Sequence, residues 1–211
     1  MPAPTSVMLV TEDGHTLEAE LAPADDARVA MVLCHPHPTY GGTMRSIVIG
    51  ALFGALPAAG VTCLRFNFRG VEGSGGAYDE GRGERLDVTA AIDALAEQAG
   101  GTVPLLLTGW SFGADVALSV LDPRIAAWLA IAPPLRFLAD PDAVGADPRP
   151  KSLILAAHDE FRPPEEVASA VAGWRATEVS VIGGASHFFV GRTDEVVARA
   201  GAVAAALAAR R

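Results

Sequence analysis

Lysine is almost absent: of the 16 basic residues in this chain of 211, Lys151 is the single lysine and the rest are arginines. These bases are outnumbered by 25 acids, giving a formal net charge of −9. No cationic stripe is available to track a phosphate backbone or an anionic lipid surface, which excludes nucleic acid and membrane as expected partners. Cysteine is scarce as well. Cys34 and Cys63 sit in neither a C-x-x-C nor a zinc spacing, so they make no disulfide framework and imply no oxidising compartment. The N-terminal run MPAPTSVMLVTEDG lacks the basic and apolar regions of a secretory signal, and a cytoplasmic location is the expectation. One uncharged stretch, residues 46–64, approaches the roughly 20 residues that cross a bilayer. Pro57 and Gly60 interrupt it, and a helix stopping near Ala59 before a strand from Val61 accounts for the same residues.

What the chain does have is a hydrophobic half, enough for one domain with a real core, here residues 1–211. From Val29 onward, short apolar runs alternate with longer amphipathic ones. Strands are expected at Val29–Cys34, Val61–Phe68, Val103–Thr108, Ile125–Ile131, Leu153–Ala157 and Glu178–Ile182. Helices are expected at about Met44–Ala59, Arg82–Gln98, Phe112–Leu121, Pro163–Trp174 and Asp194–Ala209. Strands that are apolar throughout, rather than alternating, belong to a sheet covered on both faces. The pattern is an α/β sandwich with a mostly parallel central sheet. Ahead of it, Val7–Val10 and Leu17–Leu21 read as a hairpin around Glu12-Asp13-Gly14 on one sheet edge. On this map Cys34 ends one strand and Cys63 begins its neighbour, too far apart along the sheet to bridge.

The chemistry centres on Gly109-Trp110-Ser111-Phe112-Gly113, a G-x-S-x-G between an apolar run and a helical segment. A serine on so tight a strand-to-helix turn needs glycines on both sides, because neighbouring backbone comes too close for side chains. A serine hydroxyl also needs a base to take its proton, and the base needs an acid to hold it. The expected chain order is serine, acid, histidine. His187, in GGASH after the Val179–Ile182 run, is the histidine that follows Ser111 at a strand end; His158 sits beside the acid candidate instead. Asp159, just past the Leu153–Ala157 strand, is the expected acid, with the adjacent Glu160 as its rival. Asp115, Asp140, Asp142 and Asp147 read as solvated charges.

A tetrahedral oxyanion needs two backbone donors. Phe112, directly after the serine, supplies one. The other comes from the loop His35-Pro36-His37-Pro38-Thr39, where the prolines cannot donate, leaving His37 or Thr39, of which His37 is preferred. Read instead as a metal site, His35-x-His37 lacks a third ligand at a sensible spacing, and none is expected.

These motifs, together with HPHPTYGGTMRS, RFNFRGVEGSGGAYDEGRGERLD, GWSFGAD and GASHFF, resemble the α/β-hydrolase superfamily. More narrowly, they are similar to the small, lid-poor bacterial serine esterases related to dienelactone hydrolase. The resemblance implies the α/β-hydrolase fold with a minimal lid and the triad Ser111, Asp159 and His187. Glu72 stands where family members usually have glycine, and Ala156-Ala157 stand where a glycine or acid commonly precedes the acid residue. Dienelactone hydrolases proper carry cysteine at the elbow, so Ser111 argues against that activity. In this fold the site's roof is usually the insertion between the strand ending near Ile131 and the next; here it is only Ala132–Pro150, too short for a full lid. The expectation is a cofactor-independent hydrolase of small-molecule carboxylic esters with short acyl or small aryl groups. Its open site would be lined by Tyr40, Trp110, Leu135 and Phe188. A thioesterase, peptidase or acyltransferase would use the same residues.

Overall fold

The computed structural model describes residues 3–98 and 103–210; Met1 and Pro2, which head the N-terminal run read above, lie outside the described residues. Eight strands form one sheet: β1 (Thr5–Val10), β2 (Thr16–Ala22), β3 (Val29–Cys34), β4 (Val61–Phe66), β5 (Leu105–Trp110), β6 (Ile125–Ile131), β7 (Lys151–His158) and β8 (Thr177–Ser186). The helices are α1 (Ile47–Ala55), α2 (Glu84–Gln98), α3 (Phe112–Leu118), α4 (Pro141–Ala146), α5 (Pro164–Ala170) and α6 (Thr193–Ala208). This is the α/β-hydrolase architecture. The spatial order is β1-β2-β4-β3-β5-β6-β7-β8. The β1–β2 hairpin lies antiparallel at one edge, β2 pairs antiparallel with β4, and every pair from β4 to β8 is parallel.

β3 and β6 coincide with their expected spans because both faces of each are covered. In β3, Ala30, Val32 and Cys34 face one apolar layer, shared with α2, α3 and α5, while Val29, Met31 and Leu33 face the other, shared with α1 and α6. Elsewhere local chemistry moves the boundaries. β5 starts at Leu105 because Pro104 has no N–H for the ladder, although its carbonyl accepts the Ala30 N–H at 3.0 Å. α1 gives way at Leu56 to a 3-10 turn containing Pro57, closed by Gly60 at φ 79°. α3 stops at Leu118, where the Ser119 hydroxyl donates back to the Asp115 carbonyl at 2.7 Å. α5 ends at Ala170, short of the expected Trp174, whose indole instead packs against Gly145. The uncharged residues 46–64 fold as α1, the 3-10 turn and the start of β4; among the described residues no helix is long and apolar enough to cross a membrane. Cys34 and Cys63 are buried free thiols, with Cys63 level with Met31 in the register.

The strand order places the site. From β3 the chain moves outward to β4, then returns to lay β5 on β3's other side. The loops leaving β3 and β5 therefore diverge, and the crevice between them opens at the carboxyl ends of the strands.

Candidate active site

Ser111 sits at that crevice, between β5 and α3. Its backbone is held at φ 55° and ψ −123°, a conformation that L-residues rarely adopt. Its N–H donates to the Ile131 carbonyl at 2.8 Å, fixing the turn to β6. The flanking glycines are explained by close approach. A Cβ on Gly109 would lie 2.1 Å from the Gly113 carbonyl oxygen, and one on Gly113 would lie 2.4 Å from the carbonyl oxygens of both Cys34 and His35. The turn thus packs directly on the end of β3.

β8 and β7 deliver the partners. The His187 Nδ1–H donates to Asp159 Oδ2 at 2.8 Å, and the Ser111 hydroxyl donates to His187 Nε2 at 2.8 Å. A carboxylate only accepts, so the imidazole proton resides on Nδ1 and Nε2 is left to receive the serine's. Both side chains are nearly enclosed, 5% and 6% exposed. The other carboxylate oxygen of Asp159 accepts the N–H groups of Phe161 and Arg162 at 2.9 and 3.1 Å. Glu160 does not face the ring; its carboxylate accepts the backbone N–H of His187 at 2.9 Å. The Trp110 indole N–H donates to the His187 carbonyl at 3.2 Å. The histidine is therefore gripped on both sides by backbone contacts.

Above these residues lies a cavity of about 530 Å³. Of the residues expected to line it, Tyr40, Trp110 and Phe188 do. Tyr40 is 85% exposed at the rim, Phe188 47% exposed, and Trp110 buried in the wall. Leu135 does not line the cavity: its φ of 54° turns the side chain inward against the core, and Pro134, Arg136 and Phe137 form that wall instead. Phe161, unforeseen, packs against the His187 ring with centroids 4.6 Å apart.

Asp115 corrects a second expectation. Far from being solvated, it is fully buried one turn after Ser111, where its carboxylate accepts the N–H groups of Leu135, Arg136 and Phe137 at 2.9, 2.8 and 3.0 Å. Burial pushes this carboxyl up to about 6, against the pull of those donors. Asp115 moors the cavity wall to the helix that carries the serine. The one available signal was a lone acid inside the apolar run FGADVAL. Asp147 is likewise engaged, paired with Arg149 at 2.6 Å.

His37 and Phe112 both line the cavity, whereas Thr39 does not. Among the described residues the backbone N–H groups of His37 and Phe112 have no protein acceptor, which leaves both available to a ligand oxygen. The His37 ring is packed among Tyr40, Tyr78, Phe112 and Phe137, and its Nε2 meets the Tyr78 hydroxyl at 3.1 Å. His35 is fully buried: its Nδ1–H donates to the Pro36 carbonyl at 2.6 Å and its Nε2 accepts the Phe68 N–H at 3.0 Å. With both nitrogens engaged, His35 has no lone pair to give a metal. Desolvation holds its imidazole down to about 3. Glu72, at φ 47° where glycine is usual, binds Arg45 and the Asn67 amide at 3.0 and 2.8 Å.

No protein-family model matches the chain. The uncharacterized protein RP471 of Rickettsia prowazekii is 34% identical, the match covering 82% of this chain and 77% of that protein. An alpha-beta serine hydrolase homologue from Coxiella burnetii is 33% identical and superposes with a TM-score of 0.82, covering 92% of this chain and 94% of the other. A lid-less α/β serine hydrolase of Xanthomonas campestris is 29% identical with a TM-score of 0.80, covering 94% of this chain and 92% of its own.

Proposed function

This chain belongs to the α/β serine hydrolase family, and from that premise we propose that it is a serine esterase acting on carboxylic esters with short acyl or small aryl groups. The observation that carries the reading is the chain of 2.8 Å hydrogen bonds from Ser111 through His187 to Asp159 beneath an apolar cavity. In the first half-reaction His187 Nε2 takes the Ser111 proton as Oγ bonds to the ester carbonyl carbon. The developing oxyanion accepts the N–H groups of Phe112 and His37. His187 then returns the proton to the leaving oxygen, the ester C–O bond breaks, and the alcohol departs. In the second half, water gives a proton to His187 and adds to the acyl carbon; the acid leaves and Ser111 recovers its proton. Asp159 stays ionised throughout, holding the Nδ1–H and stabilising the imidazolium.

The short-acyl preference rests on the wall. The segment between β6 and β7 contributes only α4, six residues long, and no extended roof. A cavity of about 530 Å³ suits a small ligand. A fluorophosphonate probe should label the wild type and not Ser111→Ala. Across 4-nitrophenyl esters, kcat/KM should fall beyond short chains. An unlabelled wild type removes the nucleophile assignment, and rates rising continuously to long chains remove the short-acyl preference.

A further inference from the structure

The walls of the cavity hold no carboxylate, yet one arginine reaches it: Arg136, exposed at the edge beside Phe137. Among the described residues Arg136 has no ion-pair partner; its Nη2 donates to the Phe161 carbonyl at 3.1 Å, which leaves donors on the guanidinium to spare. Its backbone N–H is fixed by Asp115 at 2.8 Å, so the side chain projects from a moored position. Arg136 and Phe137 also border a second cleft, of about 370 Å³. That cleft contains Arg82, Arg85 and Glu80. Glu80 is neutralised by Arg82 at 3.1 Å, and Arg82 also binds Asp79 at 2.8 Å. Arg85 has no carboxylate partner among the described residues, its Nε–H donating weakly to the Arg82 carbonyl at 3.4 Å. In a chain of net charge −9, most arginines described here are spoken for by acids. Arg136 and Arg85 are among those that are not, as are Arg175 and Arg199, whose guanidinium groups donate to backbone carbonyls; Arg136 and Arg85 are the ones that border the wall segment of the proposed active site.

Building on the esterase reading, we propose that Arg136, supported by Arg85, selects esters that carry a carboxylate away from the scissile bond. A planar guanidinium with free donors recognises a carboxylate bidentately and offers a neutral substrate no equivalent contact. The overall negative field repels anions at a distance, so the preference arises at this local pair of cations.

The test compares matched esters in wild type, Arg136→Gln, Arg136→Lys and Arg85→Gln. One pair sets the 4-nitrophenyl monoester of adipic acid against 4-nitrophenyl hexanoate, with charge on the acyl side. The other sets 4-acetoxybenzoate against its methyl ester, with charge on the leaving side. Uncatalysed rates are subtracted. In one of the pairs the wild type should favour the anion by about tenfold in kcat/KM, chiefly through KM. Within each variant the ratio of anionic to neutral ester is the readout. It should approach one in Arg136→Gln, be partly kept in Arg136→Lys, and fall less in Arg85→Gln. Added salt should erode it in the wild type. Hydrolysis of neutral and anionic esters at equal efficiency in both pairs, or a ratio unchanged in Arg136→Gln, overturns the proposal while leaving the esterase reading intact. No hydrolysis of any of the four esters removes both.

Discussion

Asp115 Oδ2 accepts the backbone N–H of Arg136 at 2.8 Å, joining the first turn of the helix behind Ser111 to the segment that walls the cavity. The same carboxylate holds Leu135 and Phe137, so one buried acid sets the conformation of three successive wall residues. Replacing it by asparagine keeps the shape but turns one oxygen into an N–H₂ that faces donors. Asp115→Asn should lose about 1–3 kcal/mol of stability at pH 8, read as a lowered Tm, and should raise KM for small esters. An unchanged Tm and KM would show that the wall holds itself.

The pH dependence of stability carries two opposed contributions. His35, held at about 3 when folded against an ordinary 6.5, binds protons more readily unfolded. Its contribution, up to roughly 5 kcal/mol, is present above pH 6.5 and is lost as pH falls toward 3. Asp115, raised from 3.8 to about 6, binds its proton more readily folded. Its contribution, up to roughly 3 kcal/mol, is present below 3.8 and is lost as pH rises through 6. Between pH 6 and 4 Asp115 therefore offsets part of the loss from His35. Denaturant titrations across this range should show the gap between wild type and Asp115→Asn widening as pH falls. Parallel curves would mean that Asp115 titrates normally.

Gly113 and Gly54 should respond to alanine with opposite signs. A Cβ on Gly113 meets two backbone carbonyls at 2.4 Å that cannot yield without moving the end of β3, whereas one on Gly54, exposed in α1, meets nothing within 4 Å. Gly113→Ala should cost about 1–3 kcal/mol or more and most of the activity, since the elbow must shift. Gly54→Ala should stabilise by about 0.5–1 kcal/mol. Thermal melts of the two proteins check both signs.

Asp159 and Glu160 are adjacent but hold different parts of the histidine, the ring and the backbone N–H. Asp159→Asn should lower kcat by about 10³–10⁴-fold through loss of the correct imidazole orientation and tautomer. Glu160→Gln retains an acceptor for the His187 N–H and should cost less than about tenfold. Comparable losses in both would reassign the acid.

How much of this could be read beforehand depended on where the determining contacts lie. β3 and β6 were legible because burial on both faces writes continuous apolar runs into the sequence, and the elbow because its crowding demands glycine at Gly109 and Gly113. Ser111 and Asp159, named from motif and chain order, each lie within hydrogen-bonding distance of His187 in the fold. Asp115 was not legible: its partners are backbone N–H groups of a loop more than a helix length away, which have no residue code. Leu135, an apolar residue of the wall segment, packs on the core without reaching the cavity, and its neighbours Arg136 and Phe137 line it instead. The split between Asp159 and Glu160 likewise needed the turn after β7, where local N–H groups orient one carboxylate toward the ring.

The most direct test of the account is a rapid-mixing measurement with 4-nitrophenyl acetate, paired with mass analysis of the quenched enzyme. Release of 4-nitrophenol should show an initial phase of about one equivalent per chain, with an acetyl group on the peptide containing Ser111 and neither signal in Ser111→Ala. Turnover of the ester by the wild type with no acetyl group on Ser111, or an undiminished initial phase in Ser111→Ala, would contradict the account.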